Sequence, residues 1–364
     1  MVAKKHSKDP PAEADQSKIK ENKGRKKDKL YLITGSGSGV GIEIIKLLMK
    51  DKNNTIRVLL RAHPTVSESW RRLPGGVIPY VADLRLINEE ERKSLEEACK
   101  DVDVIIHLAS IKQSHKTKYE DYIDVNVVGT ENLLKAWSEA NKNTGKILKI
   151  VYMSSTAVYG YKRKNEILTE ESELKPENNY GISKMMGEEV IRAYSVSNKI
   201  KYTIIRCSNI YGPYYEEPFF KVFKLIAEKK MRFIGSGENH LTFIHVYDVA
   251  EAIKLAAEND IANNKTYNLS DGVAYTQRML LYKAAKMLNV EPPKKSINLS
   301  LAKMVATLMN MDREELDFLA SERILDITKI KEDLKFTPKV NFDDGAKEMV
   351  NKFLEKNKRY VKSI

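Results

Sequence analysis

From residue 29 onward, short apolar runs alternate with segments in which apolar positions recur every three or four residues. KLYLIT, TIRVLL, VIPYVA, DVDVIIHLA, ILKIVYMSS and KYTIIRC are short, rich in Val and Ile, and read as strands. GIEIIKLLMK, INEEERKSLEEACK, YIDVNVVGTENLLKAWSEA and YGISKMMGEEVIRAYS carry helical spacing. Buried strands separated by helices imply a parallel sheet covered on both faces, and right-handed crossovers then give a doubly wound α/β topology. Beyond residue 207 the alternation becomes irregular, and from 276 the pattern is mostly helical. This predicts a nucleotide-binding domain over 29–207, to which 241–269 return. A smaller cap is expected from 208–240 and 270–364.

Composition narrows this picture by exclusion. A chain of 364 residues, 42% of them hydrophobic, can bury a full core. Its apolar runs are short and interrupted by charge, so no membrane span is expected. The Lys-rich N-terminus lacks the apolar stretch of a secretory leader. Two cysteines, Cys99 and Cys207, lie far apart, which suits a reduced, cytoplasmic protein, and six histidines without ligand spacing predict no metal site. The net charge is +12, but the first 29 residues hold ten Lys/Arg against five Asp/Glu. That segment, 1–28 in the domain division, reads as a disordered, solvated basic tail. The remaining charge sits on mixed-sign helices such as EEERKSLEEACKD, so no specific nucleic-acid partner is expected.

Three motifs carry chemistry. The stretch ITGSGSGVGIEI, residues 33–44, follows a strand and opens a helix, as a phosphate-binding turn must. Its glycines do not fit G-x-G-x-x-G, because Val40 and Ile42 stand where the third glycine would be. In YGISK, Tyr180 and Lys184 are four residues apart and share a helix face. A phenol with pKa near 10 becomes a usable base when an ammonium and a nicotinamide cation favour the phenolate. The same spacing recurs in YKAAK, where Tyr282 and Lys286 are expected to pack. Finally, SST at 154–156 ends a strand where ligands of such sheets bind, and Ser154 or Thr156 could equally be ordinary strand-end polar residues.

Together these segments resemble the short-chain dehydrogenase/reductase superfamily, in particular its extended branch of nucleotide-sugar epimerases and dehydratases. The matching pieces are TGSGSGVG, ADL (82–84), VIIHLAS (104–110), NVVGT (126–130), SSTAVYG (154–160), YGISK, IIRCSNIYGP (204–213) and FIHVYDVA (243–250). The late ILDITKIKEDLKFTPKVNFDDGAKEMV also resembles the end of that branch. The resemblance implies a Rossmann-like sheet with a smaller, mostly helical C-terminal substrate domain, an NAD(P) cofactor and a homodimer through the helices at 119–140 and 178–197. It makes Ser155 the active-site hydroxyl, Tyr180 the acid/base, and Lys184 the holder of the nicotinamide ribose that also lowers the tyrosine's pKa. Thr34, Gly35, Ser38, Gly39, Val40 and Gly41 would bind the dinucleotide. Asp83 and Leu84 would border the adenine, Leu108 and Ala109 would line the cofactor's path, Asn126 would sit near the catalytic group, and Asn209 would face the substrate.

Departures from the family pattern sharpen these expectations. Read as T-G-x-x-G-x-x-G, the loop keeps Gly35 and Gly41 but has Ser38 in the middle. Read as T-G-x-x-x-G-x-G, the spacing of the shorter branch, Thr34, Gly35, Gly39 and Gly41 all fit. The Asp-Glu pair of sugar-nucleotide 4,6-dehydratases is replaced by Thr156 and Ala157, so that activity is not expected. Arg61 ends the second strand where many NAD-using relatives carry an acid, which tilts the expectation towards NADP(H). Leu241 and Thr242 replace the Arg-Asp that precedes the aromatic of FIHV, leaving Lys221 or Arg232 as candidate partners for a diphosphate. The expected activity is hydride transfer at a secondary alcohol or ketone of a small molecule, most readily a nucleotide sugar. The alternatives are an NADPH-dependent ketone reductase of the dihydroflavonol or 3β-hydroxysteroid type and a non-catalytic dinucleotide sensor.

Overall fold

The computed structural model describes residues 28–61, 70–85, 88–114, 116–308, 316–317, 319–358 and 360; the basic tail lies outside them. Its centre is a seven-stranded sheet in which every neighbouring pair is parallel. The strands are β1 (Lys29–Thr34), β2 (Asn54–Leu60), β3 (Ile78–Val81), β4 (Val104–His107), β5 (Lys149–Ser155), β7 (Lys201–Cys207) and β11 (Lys265–Leu269), in the order β11-β7-β5-β4-β1-β2-β3. Chain order reverses between β1 and β4, so the crevice at their carboxyl ends is the switch point where such sheets bind ligands.

Strand alternation accounts for the two-sided burial. Tyr31 and Ile33 of β1, with Val104 and Ile106 of β4, face one layer, while Leu32 and Ile105 face the other. On the first face, α1 (Gly39–Leu48) lies beside α7 (Val246–Glu258), whose Ala250, Ala252, Ala256 and Ala257 permit close packing. The second face is covered by α2 (Glu89–Cys99), α4 (Gly129–Asn141) and α5 (Asn179–Asn198) through Leu95, Leu133, Trp137 and Ile191. Before α4, α3 (Tyr119–Ile123) continues into a π-helical turn, Asp124–Val128, a local widening that often marks functional positions.

Of the remaining elements, the helix Thr328–Leu334 returns to the central sheet, with Ile330 and Leu334 in the core beside β11, and the others make up the part expected as the cap. Strand β10 (His240–His245) pairs with β8 (Asn209–Tyr211) and β12 (Ala274–Thr276) in a separate three-stranded sheet, while α7 and β11 return to the central domain. Two further parallel pairs join β6 (Lys162–Leu168) to β14 (Glu322–Leu325) and β9 (Phe233–Ile234) to β13 (Ser296–Ile297). The cap therefore mixes strands with its helices, among them α6 (Glu216–Ala227), α8 (Gln277–Met287) and the helix Phe342–Lys356. Phe223, Phe243, Leu281, Phe342, Met349 and Phe353 fill its core. Among the described residues no helix is long and apolar enough to cross a membrane.

Candidate active site

The glycine loop turns directly from β1 into α1. Ser38 is the helix N-cap: its Oγ accepts from the Gly41 amide at 3.0 Å. No acidic side chain sits in that first turn, so nothing opposes an anion at the positive end of the helix. Gly35 has φ +66°, and a Cβ there would meet the Leu108 carbonyl and the Ala109 amide at 2.7–2.8 Å. A Cβ on Gly41 would lie 2.5 Å from the Ser36 oxygen and 2.7 Å from the Gly35 oxygen. Gly39 differs, because the space its missing side chain leaves is filled by the rings of Tyr214 and Tyr215. The Tyr215 hydroxyl also accepts from the Val40 amide at 3.4 Å. The loop after β8 thus forms the outer wall of the turn, a contact that the spacing of glycines alone does not reveal.

These residues bound a groove of about 430 Å³ that runs past Leu60, Arg61, Leu84, Leu108, Ala109 and Lys112. Arg61 and Arg72 both stand in its wall, while Asp83 does not. The Asp83 carboxylate is instead gripped by Arg85 at 2.6 Å; burial works against its charge, but the Arg85 contacts hold its pKa below the usual range. Two glycines, Gly35 and Gly41, whose Cβ would strike backbone, a helix N-terminus and two arginines in the groove wall fit a dinucleotide. Gly41→Ala is therefore expected to abolish cofactor binding and to cost on the order of 1–3 kcal/mol of stability, since backbone oxygens cannot retreat. Gly39→Ala meets only tyrosine side chains and should do less. Cofactor titration of both variants checks the order, and a weaker effect at Gly41 would contradict it.

A buried polar chain ties this loop to the tyrosine helix. Thr130 Oγ1 donates to the Asn126 carbonyl at 2.8 Å, so the His107 ring donates from Nε2 to Thr130 at 2.9 Å. His107 Nδ1 is then the acceptor for Thr34 Oγ1 at 2.6 Å, and Thr34 Oγ1 accepts in turn from the Ala109 amide. Burial, helped by the nearby Lys184 charge, keeps this histidine neutral, with its pKa pushed down to about 3. Asn126, in the π-helical turn, accepts from Ile111 N through Oδ1 and donates to Ser183 Oγ at 2.9 Å. Ser183 donates to the carbonyl of Tyr180 itself.

Ser155 and Tyr180 are brought together. Ser155 ends β5, its Oγ accepts from Ala157 N at 3.1 Å, and its hydroxyl lies close enough to Tyr180 to act on the phenol. Its neighbour Ser154 points the other way, donating to Glu188 at 2.6 Å. Burial pushes the Tyr180 phenol up to about 12, and Ser155 offsets part of that rise. Lys184 is buried and pushed down to about 7 by desolvation. Its Nζ lies over the Tyr152 ring, 4.3 Å from the centroid, and it does not contribute to the phenol's shift in this structure. Tyr180, Lys184 and Glu188 form three successive rungs on one helix face. Glu188 is the anchor, joined to Arg206 on β7 at 2.8 Å with both groups buried. Tyr282, by contrast, stacks on Phe233 in the cap, as expected of a packing residue.

Ser155 also lines a cavity of about 680 Å³, whose wall includes Gln113, Thr156, Asn209, Lys221, Arg232, Leu241 and Arg323. The segment after β4 joins the two spaces, since Leu108 to Lys112 line the groove and Gln113 the cavity. Asn209 donates from Nδ2 to the Thr242 carbonyl at 2.8 Å, which fixes its orientation in that wall. The sequence reading missed Glu188, His107, Arg323 and the Tyr214–Tyr215 wall. Only Glu188 had a usable signal, its four-residue step from Lys184.

The family model for the NAD dependent epimerase/dehydratase family matches residues 31–270. The chain is 27% identical over 266 residues to the N-acetyl-alpha-D-glucosaminyl-diphospho-ditrans,octacis-undecaprenol 4-epimerase of Escherichia coli O157:H7, covering 72% of this chain and 73% of that protein. It is 31% identical over 247 residues to a putative UDP-glucose 4-epimerase of Methanocaldococcus jannaschii, covering 64% and 76%. Its fold matches the crystal structure of UDP-glucuronic acid 4-epimerase from Bacillus cereus in complex with NAD, with a TM-score of 0.71 at 20% identity over 90% of this chain and 99% of that one. With its loop, tyrosine helix and sheet matched together, the chain belongs to the NAD dependent epimerase/dehydratase family.

Proposed function

We propose that the chain is a nucleotide-sugar epimerase that inverts a ring carbinol by removing and returning its hydrogen. The observation that carries this reading is Ser155, which lines the larger cavity and lies beside Tyr180, while the groove under the glycine loop adjoins that cavity through the segment after β4. Tyr180 takes the proton of the sugar hydroxyl, and Ser155 donates to the same oxygen and holds the phenol in line. A bound nicotinamide supplies the hydride acceptor and a positive charge beside the phenol. Lys184 would hold the nicotinamide ribose, and its ammonium would there favour the phenolate. The family match supports this reading over a ketone reductase or a sensor. Thr156 and Ala157 are both buried and neither is acidic, which supports epimerisation rather than loss of water. The test is to incubate the protein with a UDP-hexose in deuterated water and to analyse the products. Conversion to the epimer without deuterium at the inverted carbon is expected, because the hydrogen returns from within the site. Net consumption of reduced cofactor with a ketone would refute the reading.

We further propose that the groove accepts a 2′-phosphate. Arg61 and Arg72 line it, and Arg61 is close enough for its charge to act on Asp83. Arg61→Asp is expected to shift the NADP/NAD affinity ratio towards NAD by about tenfold or more, the scale of one charge-assisted contact. Fluorescence titration with both cofactors measures this, and an unchanged ratio would assign Arg61 to solvent.

A further inference from the structure

The buried arginines of this chain are treated differently. Arg206 is held by Glu188, by the Tyr159 hydroxyl and by the Glu170 carbonyl. Arg323 on β14 is as deeply buried, at 4% exposure, yet stands in the wall of the substrate cavity without such an escort. Its guanidinium lies over the Tyr161 ring at 5.1 Å, and its Nη1 reaches Thr156 Oγ1 at a long 3.4 Å. Among the described residues it forms no ion pair, and its other N–H groups have no protein hydrogen-bond partner. Glu177 acts on it through charge, but from beyond ion-pair distance. A guanidinium cannot escape burial by losing its proton, so one in a cavity wall without an ion pair is stabilised further by a bound anion.

Position decides which anion. Thr156 directly follows Ser155, so Arg323 faces the part of the substrate next to the reacting carbon. Other cations, Lys221, Lys230 and Arg232, stand in the same wall, Lys221 and Lys230 beside the carboxylates of Glu217 and Glu228. In a hexose reacting at the carbon opposite the anomeric centre, the diphosphate leaves from the far side of the ring and the C6 group lies on the near side. The anion that matches a planar two-pronged guanidinium there is a carboxylate.

We propose that Arg323 binds a carboxylate on the sugar ring, so that the preferred substrates are nucleotide-linked uronic acids. This rests on the nucleotide-sugar reading above. Tyr161 holds the guanidinium plane, with its hydroxyl accepting from Gln113 at 2.6 Å and Asn178 at 2.7 Å, and the fork is thereby presented ready-made.

The experiment is calorimetric titration of the full chain with UDP, UDP-glucose and UDP-glucuronate, in the wild type, Arg323→Met and Arg323→Lys. The wild type is expected to bind UDP-glucuronate about tenfold or more tighter than UDP-glucose, the scale of a charged hydrogen-bond pair. Arg323→Met should erase that margin while leaving UDP and UDP-glucose within about threefold of wild type, and Arg323→Lys should keep part of it. A wild type that binds the uronate no tighter than glucose overturns the proposal, and so does an equal loss for all three ligands in Arg323→Met. If Arg323→Met does not fold, the wild-type margin and Arg323→Lys decide. Failure of all three ligands to bind wild type would instead bring down the nucleotide-sugar reading, and this proposal with it.

Discussion

Tyr180→Phe is expected to lower turnover by about 10²–10⁴-fold while leaving cofactor affinity and folding near wild type, the scale of losing a positioned general acid/base. The variant removes one oxygen from a buried site and keeps the ring, so the contact with Tyr122 at 6.2 Å and the helix itself persist. What disappears is the group that Ser155 orients. The resting phenol, pushed up to about 12, holds its proton tightly, so its use as a base depends on positive charge arriving beside it. Lys184, displaced over Tyr152 and pushed down to about 7, is the side chain able to supply part of that charge. Single-turnover measurements with saturating substrate separate chemistry from binding. Activity within about tenfold of wild type would remove Tyr180 from the proton path.

The second large effect is expected at Glu188. Glu188→Ala should cost about 3–5 kcal/mol of stability, because it strands the buried Arg206 guanidinium without its counter-charge. Three groups lean on this carboxylate: Arg206 at 2.8–3.3 Å, Ser154 at 2.6 Å and, more loosely, Arg192 at 3.5 Å. Glu188→Gln retains the shape and some hydrogen bonds, so it should fall between. Urea unfolding of the three proteins measures the series. Since Glu188 fastens the Tyr180 helix to β5 and β7, loss of turnover should accompany loss of stability. If Glu188→Ala unfolded at the wild-type urea concentration, the pair would be only a spectator of packing.

The central sheet was legible because its strands are apolar on both faces, and a run such as VIIH has few other places to go. The glycine loop and the Tyr180 helix were legible for a related reason, since spacing along one element determines which residues share a face. What could not be read depends on partners far away in the chain. FIHV looks like any other buried strand, yet it pairs with Asn209–Tyr211 and Ala274–Thr276 in the cap, and nothing local encodes that choice. Four-residue spacing put Lys184 beside Tyr180, but the side chain settles over Tyr152, whose ring comes from β5. His107 is one polar residue in an apolar strand, and its meaning lies in Thr34 and Thr130 on two other elements. Arg323 in ERIL could as well have faced water. Its burial became visible only once Tyr161 and Thr156 were placed against it.

The hydrogen-bonded chain from Thr34 through His107, Thr130, Asn126 and Ser183 to the Tyr180 carbonyl has a consequence for how such a protein can change. Loop and tyrosine helix should therefore change together. A graft that brings in a relative's glycine loop with a valine in place of Thr34 would leave His107 Nδ1 without its donor, and the misfit would pass from strand to strand to the far helix. Recombination between relatives should therefore tolerate crossover points in the cap more readily than between residues 34 and 183.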